Sequence, residues 1–224
     1  CNFNKKKWDQ TINWDEREKE LIELCNKYRK KDGSYDCVVG GSGGKDSVFA
    51  SWMLKYKYKM NPITVTWSPH MYTDIGWRNF QSWLRLGFDN ILFTPNYKVH
   101  SKLSKLAFKK LVNPFQPFIV GQKNLAPKIA KMYGIPLVFY GENEAEYGNP
   151  IAEHGKSLRA DHYYSVKNFD EIYLAGQPIK QIKEENNLSD NDLSIFFPIK
   201  QDEIKKFEIE IHYLGYYLNW IPQE

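Results

Sequence analysis

Residues 38–47 read Val38-Val39-Gly40-Gly41-Ser42-Gly43-Gly44-Lys45-Asp46-Ser47, an apolar run that leads into a glycine-rich turn. A helical pattern follows directly. Glycine lets backbone N–H groups approach an anion closely, and a helix start adds free N–H groups and the positive end of its dipole. The segment therefore predicts a strand, an anion-binding loop and a helix in succession.

The loop departs from two common nucleotide-binding motifs. Walker A needs Gly-x-x-x-x-Gly-Lys-Ser/Thr, but Asp46 follows Lys45 and Val39 stands five positions before Gly44. The dinucleotide spacing G-x-G-x-x-G is absent as well. The segment 42–47 instead resembles the SGGxDS pyrophosphate loop at all six positions. Enzymes with that loop cleave ATP between the α and β phosphates, so the resemblance implies ATP as a ligand. The alternative, a turn that merely packs, has no use for this set of polar side chains.

Composition sets the broad class of the protein. The 224 residues suffice for one α/β domain with a sizeable core, and 42% hydrophobic content excludes a disordered chain. The net charge of +4 suits an anionic substrate and does not argue for nucleic acid. We expect no membrane span and no signal peptide. The three scattered cysteines (Cys1, Cys25 and Cys37) predict a reducing, cytoplasmic location.

Short apolar runs alternate with helix-length amphipathic segments. The runs are 36–40, 62–67, 90–94 and 136–140, and the helical segments are 47–58, 74–86, 97–111 and 123–133. This alternation predicts a Rossmann-like (HUP-type) α/β fold, an open parallel sheet with helices on both faces. Five lysines project from segment 97–111, and we interpret them as a solvated face.

Three regions follow from this pattern. Residues 1–35 form an N-terminal lead-in and helix. Residues 36–176 form the pyrophosphate-loop ATP-binding domain. Residues 177–224 form a C-terminal extension that we expect to be incomplete.

Ligands of an open parallel sheet bind beyond the carboxyl ends of its strands. We therefore assign nucleotide binding to residues at the ends of the first, second and fourth strands: Gly41, Ser42, Gly43, Gly44, Lys45, Asp46, Ser47, Thr66, Trp67, Ser68 and Gly141. Glu142, Glu144 and Glu146 follow the fourth strand. Mg²⁺ takes few carboxylates and fills its shell with phosphate oxygens and water, so Asp46 and Glu142 are the predicted magnesium ligands.

The same edge of the sheet carries the candidate contacts to a second substrate. These are His70, Asp74, Asn143, Glu146 and Tyr147. His70 is equally consistent with a surface-loop histidine, and Glu144 and Glu146 with a solvated loop.

Further segments resemble the N-acetyl sugar amidotransferase family, and the likeness covers nearly the whole chain. Besides the loop, they are 31–37, 73–76, 86–89 with 92–96, 141–148 and 213–217. The resemblance implies an enzyme that converts an acetamido group on a bacterial surface sugar to an acetamidino group. Such enzymes serve lipopolysaccharide O-antigen synthesis or the pseudaminic and legionaminic acid pathways.

The resemblance also implies partners. In that family ammonia comes from a separate glutaminase, in some systems through a cyclase-like companion. Members usually carry paired cysteines near the N-terminus, suggestive of Zn²⁺, and here only Cys1 could belong to such a set. Members also run beyond this C-terminus, so the resemblance implies a chain that is incomplete at both ends.

The chemistry agrees with the residue types. An amide carbonyl is a poor electrophile, and adenylation of its oxygen gives an imidate from which ammonia can expel AMP. Lys45, Asp46 and Glu142 are the predicted catalytic residues because positioning and electrostatics carry most of such a barrier. No cysteine nucleophile with a histidine partner is apparent, which agrees with a borrowed ammonia supply.

Two other functions remain open from the sequence. One is a tRNA-modifying pyrophosphate-loop enzyme, which would adenylate a base. The mild net charge speaks against that enzyme. The other is a non-catalytic nucleotide-binding module, which would have no need of the acidic cluster at 142–146.

Overall fold

The structure is a computed structural model that describes residues 12–142 and 156–220. Its strands in chain order are β1 (Cys37–Gly40), β2 (Pro62–Trp67), β3 (Asp89–Phe93), β4 (Leu137–Tyr140), β5 (Ser165–Val166), β6 (Tyr173–Leu174), β7 (Gln177–Pro178), β8 (Ile199–Lys200) and β9 (Glu210–Tyr213). The main sheet has the order β3-β2-β1-β4-β9, and all its strands are parallel. Two small pairs, β5 with β8 and β6 with β7, lie outside it.

The helices surround this sheet. They are α1 (Trp14–Tyr28), α2 (Lys45–Trp52), α3 (Asp74–Leu84), α4 (Tyr97–Leu111), α5 (Gln116–Tyr133), α6 (Ile179–Asn186), α7 (Asp190–Leu193), α8 (Gln201–Lys206) and α9 (Leu214–Tyr217). A π-helical turn, Met53–Lys57, continues α2. Within the described ranges, no helix is both long and apolar enough to cross a membrane.

Strands β1, β2 and β4 are buried on both faces because their side chains alternate between two sides that helices cover. Val38 and Val138 belong to one core, which includes residues of α4 and α5. Val39 and Phe139 belong to the other, which includes residues of α1 and α2. The predicted Rossmann-like α/β fold with helices on both faces is therefore confirmed.

Two features differ from the prediction or extend it. The helix predicted for 123–133 begins at Gln116, because Pro117 lies in its first turn, where a missing N–H costs nothing. Strand β9 lies beyond residue 177 and pairs with β4 at the edge of the sheet. The C-terminal region therefore contributes to the main sheet, while the domain boundaries stay predictions.

The order of the strands reverses between β1 and β4. From β1 the chain continues to β2 and β3 on one side, and β4 then pairs with the other side of β1. Open parallel sheets bind ligands at the carboxyl ends of the two strands that flank such a reversal. Those ends are the loop at 41–44 and the segment that begins at Gly141.

Candidate functional site

The loop after β1 presents a row of unpaired backbone N–H groups. Within the described part of the chain, no amide from Ser42 to Ser47 donates a hydrogen bond. The flanking amides do: Gly41 donates to the Val65 carbonyl at 2.9 Å, and Val48 donates to the Gly44 carbonyl at 3.0 Å. Gly44 is the N-cap of α2 and supplies no side-chain cap. A row of free N–H groups at a helix start is an anion-binding arrangement.

Close packing under the loop requires glycine. Gly43 has φ of +84°, and a Cβ atom there would lie 2.8 Å from the Cα atom of Phe80 in α3. A Cβ atom on Gly41 would lie 2.1 Å from that of Ser47. The loop is therefore held directly against α3 and the first turn of α2.

A buried hydrogen-bond network fixes that first turn. The Trp83 indole N–H of α3 donates to the Ser51 hydroxyl at 2.7 Å, and this hydroxyl in turn lies 2.7 Å from the Ser47 carbonyl, to which it donates. Trp83 and Ser51 are both fully buried. The network joins α3 to α2 beneath the loop, so the free amides have a rigid support.

The polar side chains of the loop differ in their surroundings. Ser42 and Lys45 are exposed, while the Ser47 hydroxyl is buried and donates to the Gly44 carbonyl at 3.0 Å. The Oδ1 atom of Asp46 is buried without a hydrogen-bond partner among the described residues. The ammonium of Lys45 lies 4.0 Å from it.

This carboxylate can accept a cation. No group of three or more His, Cys, Asp or Glu side chains that could hold a metal is found in the described ranges. Mg²⁺ bound to a nucleotide needs only one or two carboxylates, because phosphate oxygens and water complete its shell. The buried, unsatisfied Oδ1 of Asp46 fits that requirement.

The end of β4 lies against the loop helix. A Cβ atom on Gly141 would come within 2.2 Å of the Asp46 carbonyl oxygen, so the two main chains are in contact. Glu142 follows, and its carbonyl accepts from the Gly215 amide of α9 at 3.3 Å. The structure therefore brings Asp46, Gly141 and Glu142 together at the strand reversal.

Two cations were not identified from the sequence: Lys123, which lies near Glu142, and Arg159, which lies near Lys123. Burial lowers the pKa of Lys123 in α5; the nearby Arg159 lowers it further, and Glu142 opposes this shift. Arg159 is buried, and its guanidinium lies 3.6 Å from the centre of the Tyr163 ring. These residues come from segments far from residue 142 in the chain, and no spacing in the sequence signals their approach.

The residues at the end of β2 make contacts within the protein interior. Thr66 accepts a hydrogen bond from the Asn90 side chain at 3.1 Å. Trp67 is buried, and its ring centre lies 5.1 Å from that of Phe93 and 5.4 Å from that of Phe196. The Ser68 amide donates to the Phe93 carbonyl at 2.8 Å. The nucleotide contact predicted for Thr66, Trp67 and Ser68 stays a prediction.

The candidate contacts to a second substrate are spread out. His70 stacks on the fully buried His100 of α4 with ring centres 3.8 Å apart, and its Nε2 atom is 3.3 Å from the Ser104 hydroxyl. Asp74 is exposed in the first turn of α3, after the N-cap Thr73. Asn143, Glu144, Glu146 and Tyr147 lie outside the described residues, as does Cys1.

An open groove of about 450 Å³ borders the loop. Its lining residues are Gly43, Lys45, Val48, Phe49, Trp52 and Asn79. The groove lies between α2 and α3, so a ligand in it would reach the phosphate loop from the side of these two helices.

No family model matches the chain. A 53-residue part, 24% of the chain, is 43% identical to an uncharacterized protein of Methanocaldococcus jannaschii, and it spans only 19% of that relative.

Two solved structures share parts of the architecture. NH3-dependent NAD synthetase from Campylobacter jejuni, in complex with the nitrate ion, has a TM-score of 0.44 and 14% identity, covering 88% of this chain and 93% of that one. A predicted subunit of tRNA methyltransferase from Methanocaldococcus jannaschii has a TM-score of 0.36 and 20% identity, covering 51% and 56%. Neither likeness assigns the chain to a family, and the fold rests on the topology of the sheet itself.

Proposed function

We propose that the protein is an ATP-dependent, AMP-forming amidotransferase that acts on an N-acetylated bacterial surface sugar. It would convert the acetamido group to an acetamidino group. The observation that carries the proposal is the row of unpaired amides from Ser42 to Ser47, which lies at the strand reversal between β1 and β4. The complete SGGxDS sequence of that loop supports the ATP-dependent part of the proposal, and the sugar substrate rests on the resemblance of other segments to the N-acetyl sugar amidotransferase family.

The reaction has two steps in this proposal. The acetamido oxygen attacks the α-phosphorus of ATP, the bond from that phosphorus to the bridging oxygen breaks, and pyrophosphate leaves. Ammonia then adds to the imidate carbon, the carbon–oxygen bond breaks, and AMP leaves with the former carbonyl oxygen. The nitrogen loses protons as the amidine forms, so atoms and charges balance.

The loop stabilises the charge that develops on the phosphates. The free amides of Ser42–Ser47 would donate to phosphate oxygens, and Lys45 would place its ammonium beside them. Bound Mg²⁺ would withdraw electron density from the phosphates, and Asp46 and Glu142 are the carboxylates proposed to hold it. The rigid support by Trp83 and Ser51 keeps these donors in place before substrate binds.

Lys123 and Arg159 extend this positive region toward β4. Lys123 lies within electrostatic reach of both Arg159 and Glu142. Lys123 would therefore add positive charge beside the end of β4. That charge would favour a phosphate-bearing substrate over a neutral one.

The remaining parts of the proposal concern the setting of the enzyme. We propose a cytoplasmic location, ammonia from a partner glutaminase with or without a cyclase-like companion, and no nucleic-acid substrate. A Zn²⁺ site that involves Cys1 belongs to this proposal for a longer chain only. High ammonium concentrations alone should therefore support turnover, and glutamine should do so only when a glutaminase is added.

One incubation tests the function. The protein is mixed with ATP, Mg²⁺, ammonium and candidate acetamido sugars, both free and nucleotide-linked, and products are identified by mass spectrometry. The expected product has NH in place of one oxygen, with one AMP and one pyrophosphate per turnover. AMP formation with tRNA and with no sugar would favour the tRNA-modifying alternative. Nucleotide binding without cleavage under any condition would favour a regulatory module.

A further inference from the structure

The charges of the chain are segregated. The segment from Asn90 to Gly141 contains eight lysines and no Asp, Glu or Arg. With histidine neutral, it therefore carries a charge of +8, whereas the whole chain carries +4 and the remainder must carry −4. This segment includes α4 and α5. Such asymmetry is typical of a surface that meets an anionic partner.

Most of the free positive charge lies on α4. In α5, Lys128 donates to the carbonyls of Ser194 and Ile195, and Lys131 pairs with Glu203. The five lysines of α4 form no ion pair within 4 Å in the described ranges: Lys98, Lys102, Lys105, Lys109 and Lys110. All five are exposed. Lys102 donates to the Asn186 carbonyl at 2.6 Å, and the five ammonium groups form a row of positive charge along one helix.

Exposed apolar side chains lie at the C-terminal end of this row of lysines. Five large side chains around the turn between α4 and α5 are exposed: Phe108 (57%), Leu111 (44%), Val112 (80%), Phe115 (67%) and Ile119 (39%). Val112 ends α4 in the left-handed conformation with φ of +54°, which is uncommon for a β-branched residue. We call these five residues, with Lys105, Lys109 and Lys110, the basic–apolar tip.

We infer that the basic–apolar tip docks the protein on an anionic membrane surface. Basic residues attract anionic lipid headgroups, and neighbouring apolar side chains enter the boundary between headgroups and acyl chains. The charge complementarity is direct because no acidic residue occurs in the segment that forms the tip. Outside this segment, Glu185 of α6 interacts electrostatically with Lys110, and Asp192 of α7 interacts with Lys102, which is not part of the tip.

The composition of the tip favours a membrane over other anionic partners. Nucleic acid offers aromatic stacking and phosphate contacts but little to cover Leu111, Val112 and Ile119. Arginine is the usual residue for bidentate phosphate recognition, and the segment has none. The centres of protein interfaces are depleted of lysine, whereas here Lys109 and Lys110 lie in sequence between Phe108 and Leu111.

Vesicle flotation tests this inference with the whole chain. The protein is mixed with phosphatidylcholine vesicles that contain or lack phosphatidylglycerol, at low and at high salt. We expect binding only to the anionic vesicles and weaker binding at high salt. The triple variant Lys105→Glu, Lys109→Glu and Lys110→Glu should bind at least about a hundredfold more weakly.

Two further variants test whether binding depends on the residues of the tip or only on the net charge of the protein. The triple variant Lys19→Glu, Lys31→Glu and Lys205→Glu changes the net charge equally at exposed sites elsewhere, and its affinity should fall less than about threefold. Val112→Ser with Phe115→Ser should weaken binding at least about tenfold while the circular dichroism spectrum stays unchanged.

Several outcomes would overturn the inference. They are no binding to anionic vesicles at low salt, equal losses in the two lysine variants, or no effect of the serine changes. Binding of an RNA oligonucleotide that depends on the tip lysines, without vesicle binding, would point to nucleic acid instead. Each readout is a binding measurement, so the inference can fail while the proposed amidotransferase activity stands.

Discussion

Gly141 lies against the main chain of Asp46: a Cβ atom on Gly141 would come within 2.2 Å of the Asp46 carbonyl oxygen and 2.5 Å of its carbonyl carbon. Both neighbours are backbone atoms, which cannot move aside as a flexible side chain can. The contact joins the end of β4 to the first turn of α2, the two elements that flank the candidate phosphate site. The geometry of the loop therefore depends on the absence of a side chain at residue 141.

Gly141→Ala should lower both stability and activity. The added methyl group must displace the start of α2 or the end of β4, and overpacking of this kind costs about 1–3 kcal/mol in the free energy of unfolding. Gly44→Ala is the matched control, since a Cβ atom there meets nothing within 4 Å. Urea unfolding should show the loss for Gly141→Ala only. Equal stability of the two variants would contradict the contact.

Asp46→Asn should leave the fold intact and remove most of the activity. The Oδ1 atom is buried and has no hydrogen-bond partner in the described ranges, so the folded chain gains little from its charge. Loss of the charge that we propose faces the nucleotide and its metal should raise the barrier by about 2–4 kcal/mol. AMP formation is the measurement, with the exposed Asp202→Asn as the control. Wild-type turnover in Asp46→Asn would remove this residue from the proposed site.

Ser42→Ala should also abolish AMP formation without loss of stability.

Glu142 has two possible partners that kinetics can separate. If Glu142 binds magnesium, the Glu142→Gln variant should have a turnover lower by a factor on the order of a hundred, and it should need more Mg²⁺. As an electrostatic partner of Lys123 alone, it should show neither effect, because glutamine can fill the same position. We expect the first result. Titration of Mg²⁺ against rate decides, with the exposed Glu184→Gln as the control.

Lys123→Met should reduce turnover without changing the Mg²⁺ requirement. Its ammonium belongs to the positive region beside Glu142 and is already partly desolvated, as its lowered pKa indicates. We expect a tenfold effect or somewhat more, about 1.4 kcal/mol. A double variant with Glu142→Gln measures how far the two side chains act together. A change in the magnesium requirement of Lys123→Met itself would argue against separate roles.

Local patterns predicted the elements that carry the loop. The apolar run before Gly40, the glycines after it and the amphipathic helix are all readable within a few residues, and β1, the loop and α2 follow in that order. Strands β2 and β4 were likewise predictable, because a buried parallel strand is a largely apolar run, and the edge strand β3 was predictable from the shorter apolar run at residues 91–93.

Long-range contacts were beyond the same reasoning. The approach of Lys123 to Glu142 and of Arg159 to Lys123 depends on how α5 and the segment after residue 156 pack, and neither follows from spacing in the chain. The pairing of β9 with β4 is another such contact. The packing of Trp67 is a third contact that the sequence did not predict. The place of Trp67 at a strand end predicts a ligand contact, which stays a prediction, whereas the packing of its ring against Gly121 of α5 does not follow from any local pattern.

The buried His100 should make the protein less stable in acid. Burial, with the nearby His70, lowers the pKa of His100 to about 4, below the usual value of 6.5. Between these values the unfolded chain binds the proton and the folded chain does not. The contribution of neutral His100 is therefore fully present above about pH 6.5 and is lost as the pH falls toward 4, with a slope of at most about 1.4 kcal/mol per pH unit.

His100→Phe should remove this part of the slope, because its ring suits the aromatic surroundings of Trp67, Phe118 and Phe196 and binds no proton. Urea unfolding at several pH values between about 7 and 4.5 measures the free energy of unfolding of each form. The exposed His162→Phe is the matched control and should keep the wild-type slope. The buried His212, which contacts Glu210 and Tyr217, is present in all three proteins, so its effect cancels in the comparison. Identical slopes for the wild type and His100→Phe would show that His100 does not resist protonation in the folded chain.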